Sequence, residues 1–313
     1  MMLQLQINIL TMQALILISQ LLLCLAAGYL FAKKLPTSLV QFCFKVLPYF
    51  SYLLLIGISM EFTHALQDIH GSSQILTSAT TLAFLTTIGS FLCCFALYKF
   101  IGIQPTSGKI SLDLLLKSFI SISYACLALA VGFVLAKLFE NYGLPTQVNT
   151  WYLLLAFMFL IGLDLAFSPL DRSWLNLKIL LVPIGCIIGS IIGALIASML
   201  LQHLQLKDLI MLSQGYGFYS MSGIVVSELK SPALGSIALI NDLFREIIAI
   251  ILMYCIGWRY PRSAIASAAA TAMDVSLPMV KQACGNDFIP HAMVSGFILS
   301  ILAPIAVSVL AAL

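Results

Sequence analysis

The residues Gln214-Gly215-Tyr216-Gly217-Phe218-Tyr219-Ser220-Met221-Ser222-Gly223 interrupt an apolar run between positions 208 and 229. Whether that run crosses a bilayer once, or dips in and returns, decides the fold. Glycine and hydroxyl side chains mark places where a membrane helix can break, because nearby polar groups re-satisfy the freed backbone. Two further polar stretches follow: Asn241-Asp242-Leu243-Phe244-Arg245-Glu246 and Met273-Asp274-Val275-Ser276-Leu277-Pro278. Together they bring three carboxylates and one guanidinium into otherwise apolar sequence.

The surrounding chain explains why such residues stand out. Of its 313 residues 61% are hydrophobic and 9% charged, against roughly 25% charged in soluble domains, and the mean hydropathy is +1.08. The apolar runs are about twenty residues long, enough to span a ~30 Å hydrocarbon core as helix, with no alternating strand pattern. These features predict an all-α polytopic integral membrane protein forming a single transmembrane domain over 1–313.

Isoleucine 9 to Phe31 is preceded by no Lys or Arg and exceeds the apolar core of a signal peptide, so it reads as a retained first helix. The eight cysteines form neither C-x-x-C nor Cys/His spacing and read as small packing residues. No metal or other cofactor is expected. The net charge of +3 lacks a basic cluster, which excludes a nucleic-acid patch and leaves a topology signal in the loops.

Apolar segments fall at 9–31, 39–60, 75–101, 115–139, 150–168, 178–201, 208–229, 235–257, 263–283 and 288–312. Lys33, Lys34 and Lys45 put the first turn inside, whereas Glu61, Asp68 and His70 flank a second turn without Lys or Arg. Lys99, Lys109 and Lys117, then Arg172 and Lys178, mark the next inside turns, and six crossings bring the chain outside near His203. Arg259 and Arg262 land inside only if 208–229 returns to the face it entered. The small-residue run Ala264–Ala272 and Pro278 suggest the same for 263–283 from the inside. The expectation is about eight crossings, two re-entrant segments and both termini outside, with a ten-helix bundle as the alternative.

A weak internal repeat supports a transporter architecture. Ala26-Ala27-Gly28-Tyr29-Leu30-Phe31-Ala32-Lys33 matches Ala130-Val131-Gly132-Phe133-Val134-Leu135-Ala136-Lys137. Leu55-Ile56-Gly57-Ile58-Ser59-Met60-Glu61-Phe62 matches Leu160-Ile161-Gly162-Leu163-Asp164-Leu165-Ala166-Phe167 at nearly the same offset. Three helices separate the copies, so 1–103 and 104–205 would be inverted repeats, with 206–313 as the core. Such repeats occur in secondary transporters, whose sites lie near the midplane at discontinuous helices.

A charge at the bilayer centre costs roughly 2.5–3.5 kcal/mol on insertion scales, and such residues usually line a pathway or pair. Asp242 and Glu246 are i and i+4, with Arg245 beside them, so the three could form one patch with Asp274 nearby. Desolvation and like-charge repulsion both favour the protonated form of clustered carboxylates, which permits proton exchange. Glu246, Asp274, Asp242 and Arg245 are therefore the candidate substrate- and proton-binding residues. Tyr216, Tyr219, Ser220, Ser222, Asn241 and Ser276 are candidate cavity-lining groups. Asp164, Glu61 and Glu228 read as solvated boundary residues. No nucleophile motif, phosphate loop or thiol pair is present, so an enzyme is not expected.

In order and spacing, Gly217–Ile224, Asn241–Glu246, Ala270–Pro278 and Gly296–Ser300 resemble the bacterial lysine-exporter family LysO. The match runs from about residue 210 to the end. The resemblance implies a multi-pass protein of the bacterial cytoplasmic membrane that exports L-lysine and close cationic analogues against protons. It points to Glu246 and Asp274 as the functional acids, with lysine, protons and lipid as partners and homo-oligomerisation left open. Either Arg245 or the broken backbone at 215–223 would take the substrate's α-carboxylate. The alternative within transport is a monovalent cation/proton antiporter. A receptor or an intramembrane protease is disfavoured by the lack of a soluble extension or a paired catalytic motif.

Overall fold

The computed structural model describes residues 2–63, 69–102, 112–143, 149–167, 177–273 and 275–312. Asp274 lies outside the described residues, as do the loop residues Asp68, Lys109 and Arg172. Among the described residues every regular element is helical: α1 Met2–Phe31, α2 Thr37–Phe62, α3 Ile69–Phe100, α4 Leu112–Asn141, α5 Thr150–Phe167 and α6 Leu177–Leu200. Then come α7 Leu206–Ser213, α8 Tyr219–Leu229, α9 Pro232–Leu252, α10 Pro261–Ala268, α11 Leu277–Met279 and α12 Ile289–Ala312.

Five helices among the described residues are long and apolar enough to cross a membrane, and bent α2 makes a sixth if counted as one span. Without water, a lipid-exposed chain must satisfy its backbone internally, and long helices do so. The protein is an all-α polytopic membrane protein.

Two groups of helices meet across the molecule. In the first, a panel, α1 packs on α5 and α2 on α4. Glycine permits both approaches. A Cβ on Gly28 would sit 2.1 Å from the Phe159 carbonyl oxygen, one on Gly162 2.1 Å from that of Leu25, and one on Gly132 2.4 Å from that of Ile56. The second group, a core, is built on α3 and α6, whose backbones touch at Gly89 and Gly189; a Cβ on either would lie within 2.4 Å of the other's carbonyl oxygen. Small residues allow this backbone approach, which membrane helices use because lipid supplies no hydrophobic drive to associate.

The two ends of the molecule can be told apart by side-chain contacts. At one end Thr150 of α5 donates to Glu61 of α2 at 2.5 Å, and Ser78 of α3 lies 2.9 Å from the His203 ring after α6. At the other end Tyr98 of α3 donates to the Lys178 carbonyl, and Arg262 stacks over the rings of Tyr98 and Phe288.

The segment α7–α8 begins and finishes at the first end, since Lys230 Nζ lies 4.0 Å from Asp208 Oδ1. Hence it forms a hairpin whose tip is residues 214–218. The stretch 261–284 does the same from the other end, where Cys284 Sγ lies 4.0 Å from the Pro261 carbonyl and 3.3 Å from a Cβ built on Gly257. Its tip is the tight 3-10 turn Ala269–Met273. α9 follows the first hairpin and packs along α8 and α3, while α12 follows the second and packs on its tip.

Candidate functional site

The tips of the two hairpins touch. Ala270 N–H donates to the Tyr216 carbonyl at 3.0 Å, and a Cβ on Gly217 would come 3.3 Å from Thr271 Cγ2. Each tip holds one non-glycine residue in the left-handed region, Tyr216 at φ 53° and Ala269 at φ 54°. Such positions cost of order 1–3 kcal/mol and persist where surrounding structure over-determines them, often at functional sites. Gly296 of α12 braces the second tip, because a Cβ there would fall 2.6 Å from Met273 Cβ.

Asp242 holds the first tip in place. It is fully buried and accepts from Gly217 N at 3.1 Å, Ser222 Oγ at 2.5 Å and Asn241 Nδ2 at 3.1 Å. Gly215 lies so close that a Cβ there would be 1.9 Å from Asp242 Oδ2. The carboxylate thus satisfies donors that the helix break frees, as an N-cap does, but from a neighbouring helix. Asn241 also donates to the Leu212 carbonyl at 3.2 Å, tying the end of α7 to α9.

Arg245 is also fully buried and turns the other way. Its Nη2 donates to Ser90 Oγ at 2.9 Å, Ser190 Oγ at 3.0 Å and Cys186 Sγ at 3.2 Å. Nη1 donates to the Ser213 carbonyl at 3.4 Å, and the guanidinium lies 5.8 Å from the Tyr216 ring centre. The arginine therefore joins α3, α6 and the first tip.

Beside the joined tips lies a cavity of about 480 Å³, between the panel helices α2, α4 and α5 and the core. Tyr219 and Ser220 at the start of α8 line it, with Glu246 of α9, Asp164 of α5, Thr271 and Val275 of the second tip, and Ser300 of α12. Ser51 and Tyr52 come from α2. Two carboxylates thus share its wall, and among the described residues no Lys or Arg does.

Of the candidate residues, Glu246, Tyr219 and Ser220 reach this cavity. Asp242, Arg245, Asn241, Tyr216, Ser222 and Ser276 are buried outside it. Tyr216 donates to Gln214, and Ser276 lies 3.3 Å from the Thr271 hydroxyl. The single patch that the spacing of Asp242, Arg245 and Glu246 suggests does not form. On a helix turning about 100° per residue, Arg245 and Glu246 fall on opposite flanks of Asp242; α3 and α6 lie on one flank and the cavity on the other.

Asp164 is a correction in the opposite sense. Read from the sequence as a boundary residue, it is half-buried on the cavity wall. Only its place in the apolar octapeptide Leu160–Phe167 could have signalled this. Ser90, Ser190 and Cys186 receive Arg245, and the sequence carries no signal of it, since isolated serines in apolar helices form no pattern and Cys186 reads as a packing residue. Met273 and Val275 line the cavity, while Asp274, also a candidate, lies outside the described residues.

Long apolar helices, two hairpins joined at their tips and an acid-lined cavity between two helix groups define the class: a polytopic α-helical membrane protein with a polar internal cavity. Residues 126–311 match the family described as lysine exporter LysO, and the chain belongs to that family. It is 37% identical over 159 residues to the "Lysine exporter LysO" of Escherichia coli (strain K12), an alignment covering 50% of this chain and 53% of that protein. It is 29% identical over 183 residues to a "Putative lysine exporter" of Haemophilus influenzae, covering 57% of this chain and 92% of that protein. The chain thus spans about half the length of the Escherichia coli relative. No solved structure matches.

Proposed function

We propose that this protein exports L-lysine and close cationic analogues from the cytoplasm, in exchange for protons, across the bacterial inner membrane. The observation that carries the reading is the cavity whose described wall holds two carboxylates and no cation, in a chain of a lysine-exporter family. Lysine carries a net positive charge, and its ammonium groups need carboxylate partners. Glu246 and Asp274 are the proposed exchange pair: each holds either a proton or the substrate's positive charge.

The α-carboxylate of the substrate goes to the start of α8. Of the two options the sequence leaves, Arg245 is enclosed by Ser90, Ser190 and Cys186 away from the cavity. Tyr219 and Ser220 instead open the helix on the cavity wall, and a helix N-terminus favours negative charge.

The two hairpins are proposed to be re-entrant, entering from opposite faces, with eight crossings and both termini outside. The proximity of Asp208 to Lys230, and of Pro261 to Cys284, supports this topology. So does the grouping of Arg259, Arg262 and Lys178 at one end, which would be the cytoplasmic one. Midplane contact of two broken elements follows the logic of secondary transporters, in which discontinuous helices offer termini and free backbone to the substrate.

The test is uptake of radiolabelled lysine into inside-out vesicles or proteoliposomes with an imposed pH gradient, together with counterflow. Gradient-driven lysine movement is expected, and it should vanish in Glu246→Gln and in Asp274→Asn at unchanged membrane abundance. Normal transport in both variants would remove these two acids from the mechanism. Proton flux independent of lysine would select a cation antiporter instead.

A further inference from the structure

We propose that Asp164 binds the second ammonium group of the substrate, from the panel side of the cavity, and thereby sets the chain length that the site accepts. The inference rests on the lysine-export reading above. Lysine presents two ammonium groups at the ends of one flexible chain, and a site that engages both must supply an anion at each end. The cavity supplies described carboxylates on two different bodies: Glu246 on α9 of the core and Asp164 on α5 of the panel.

The second support comes from the repeated octapeptides. Ser59 on α2 stands where Asp164 stands on α5. The two positions have taken different roles: Ser59 is buried in the panel and donates to the Leu129 carbonyl of α4 at 2.6 Å, whereas Asp164 faces the cavity. An uncharged hydroxyl suffices for helix packing at this position. At the matching position of α5 the chain instead carries a carboxylate on the cavity wall, where it can meet a cationic group.

The position would also link the two helix groups through the substrate. A substrate held by Glu246 and Asp164 together bridges core and panel, the two bodies between which the cavity lies. One ammonium released from either acid weakens the hold of one body on the substrate while the other keeps it. Length selectivity follows from the proposal, because carboxylates carried by two different helices favour one spacing of the two ammonium groups over others.

The test uses the full chain in proteoliposomes with lysine and ornithine, which differ by one methylene. Asp164→Glu moves the carboxylate about one methylene into the cavity, so the ornithine-to-lysine transport ratio should rise about tenfold, within the range that one methylene commands in a fitted site. An unchanged ratio with active transport would overturn the proposal. If Asp164→Glu is recovered unfolded, Asp164→Ser, carrying the residue type of position 59, takes its place. In that variant lysine binding, read by thermal shift in detergent, should lose its preference over norleucine, and an intact preference would equally overturn it. Failure of the unaltered protein to bind or move lysine would count against the export reading, a result separate from either.

Discussion

At the residue scale, the centre of the protein separates two uses of charge. Asp242 is spent on the first hairpin tip, where it replaces backbone partners lost at residues 214–218. Gly215 has no room for a side chain against it. Gly215→Ala should therefore destabilise the protein by about 1–3 kcal/mol, as overpacking does, seen as a lower melting temperature in detergent together with loss of transport. Arg245 is a planar fork shared among Ser90, Ser190, Cys186 and Ser213. A lysine there carries the charge without the fork, so Arg245→Lys should lower the melting temperature while the affinity for lysine in the fraction that remains folded changes little. A loss of affinity at full stability would instead move Arg245 into the substrate site. Glu246, by contrast, lines the cavity.

At the element scale, glycine-mediated approach sets the positions of the helices that carry these residues. α3 and α6 touch at Gly89 and Gly189, which brings Ser90 and Ser190 to 3.2 Å and makes the seat for Arg245. Gly189→Val forces these helices apart and should break that seat. The expected outcome is a fall in melting temperature larger than that of Gly193→Ala one turn away, although a Cβ on Gly193 too would lie 2.6 Å from the Leu85 carbonyl oxygen. The hairpins depend on each other in the same manner. Each has a left-handed residue at its tip, and the hydrogen bond from Ala270 to Tyr216 joins the strained turns. Ala269→Gly relaxes one of them at little steric cost and should preserve or raise stability. A large loss of stability would show that the Ala269 methyl is needed for packing rather than tolerated.

At the scale of the whole molecule, the arrangement of hairpin ends makes a topological prediction. In a chain freed of its native cysteines, Asp208→Cys and Lys230→Cys should react with a membrane-impermeant maleimide from the periplasmic side, whereas Lys281→Cys should react only after the membrane is opened. Labelling of positions 208 and 230 from opposite sides would restore the ten-crossing alternative. Of the panel, α2, α4 and α5 meet the core at the cavity, so the cavity lies between the two groups of helices whatever face each end of the chain takes.

The sequence by itself determined the solvent and the class of the protein. Its composition admits only a membrane, the length of its apolar runs admits only helices, and glycines with hydroxyls mark the break in the first hairpin. It also named Glu246, because an acid deep in an apolar run is expensive and therefore conspicuous. The family motifs after residue 210 were legible for the same reason, as polar strings in apolar surroundings. Only the tertiary structure decided which charges face the cavity. Helical spacing puts Asp242, Arg245 and Glu246 within reach of one another, but neighbours on each flank of α9 determine which are buried as structural partners and which meet open space. The same holds for Asp164: its helix was readable, but whether that acid lay at a membrane interface or on a cavity wall depended on α2, α4 and the hairpin tips, which are distant in the chain and close only once it has folded.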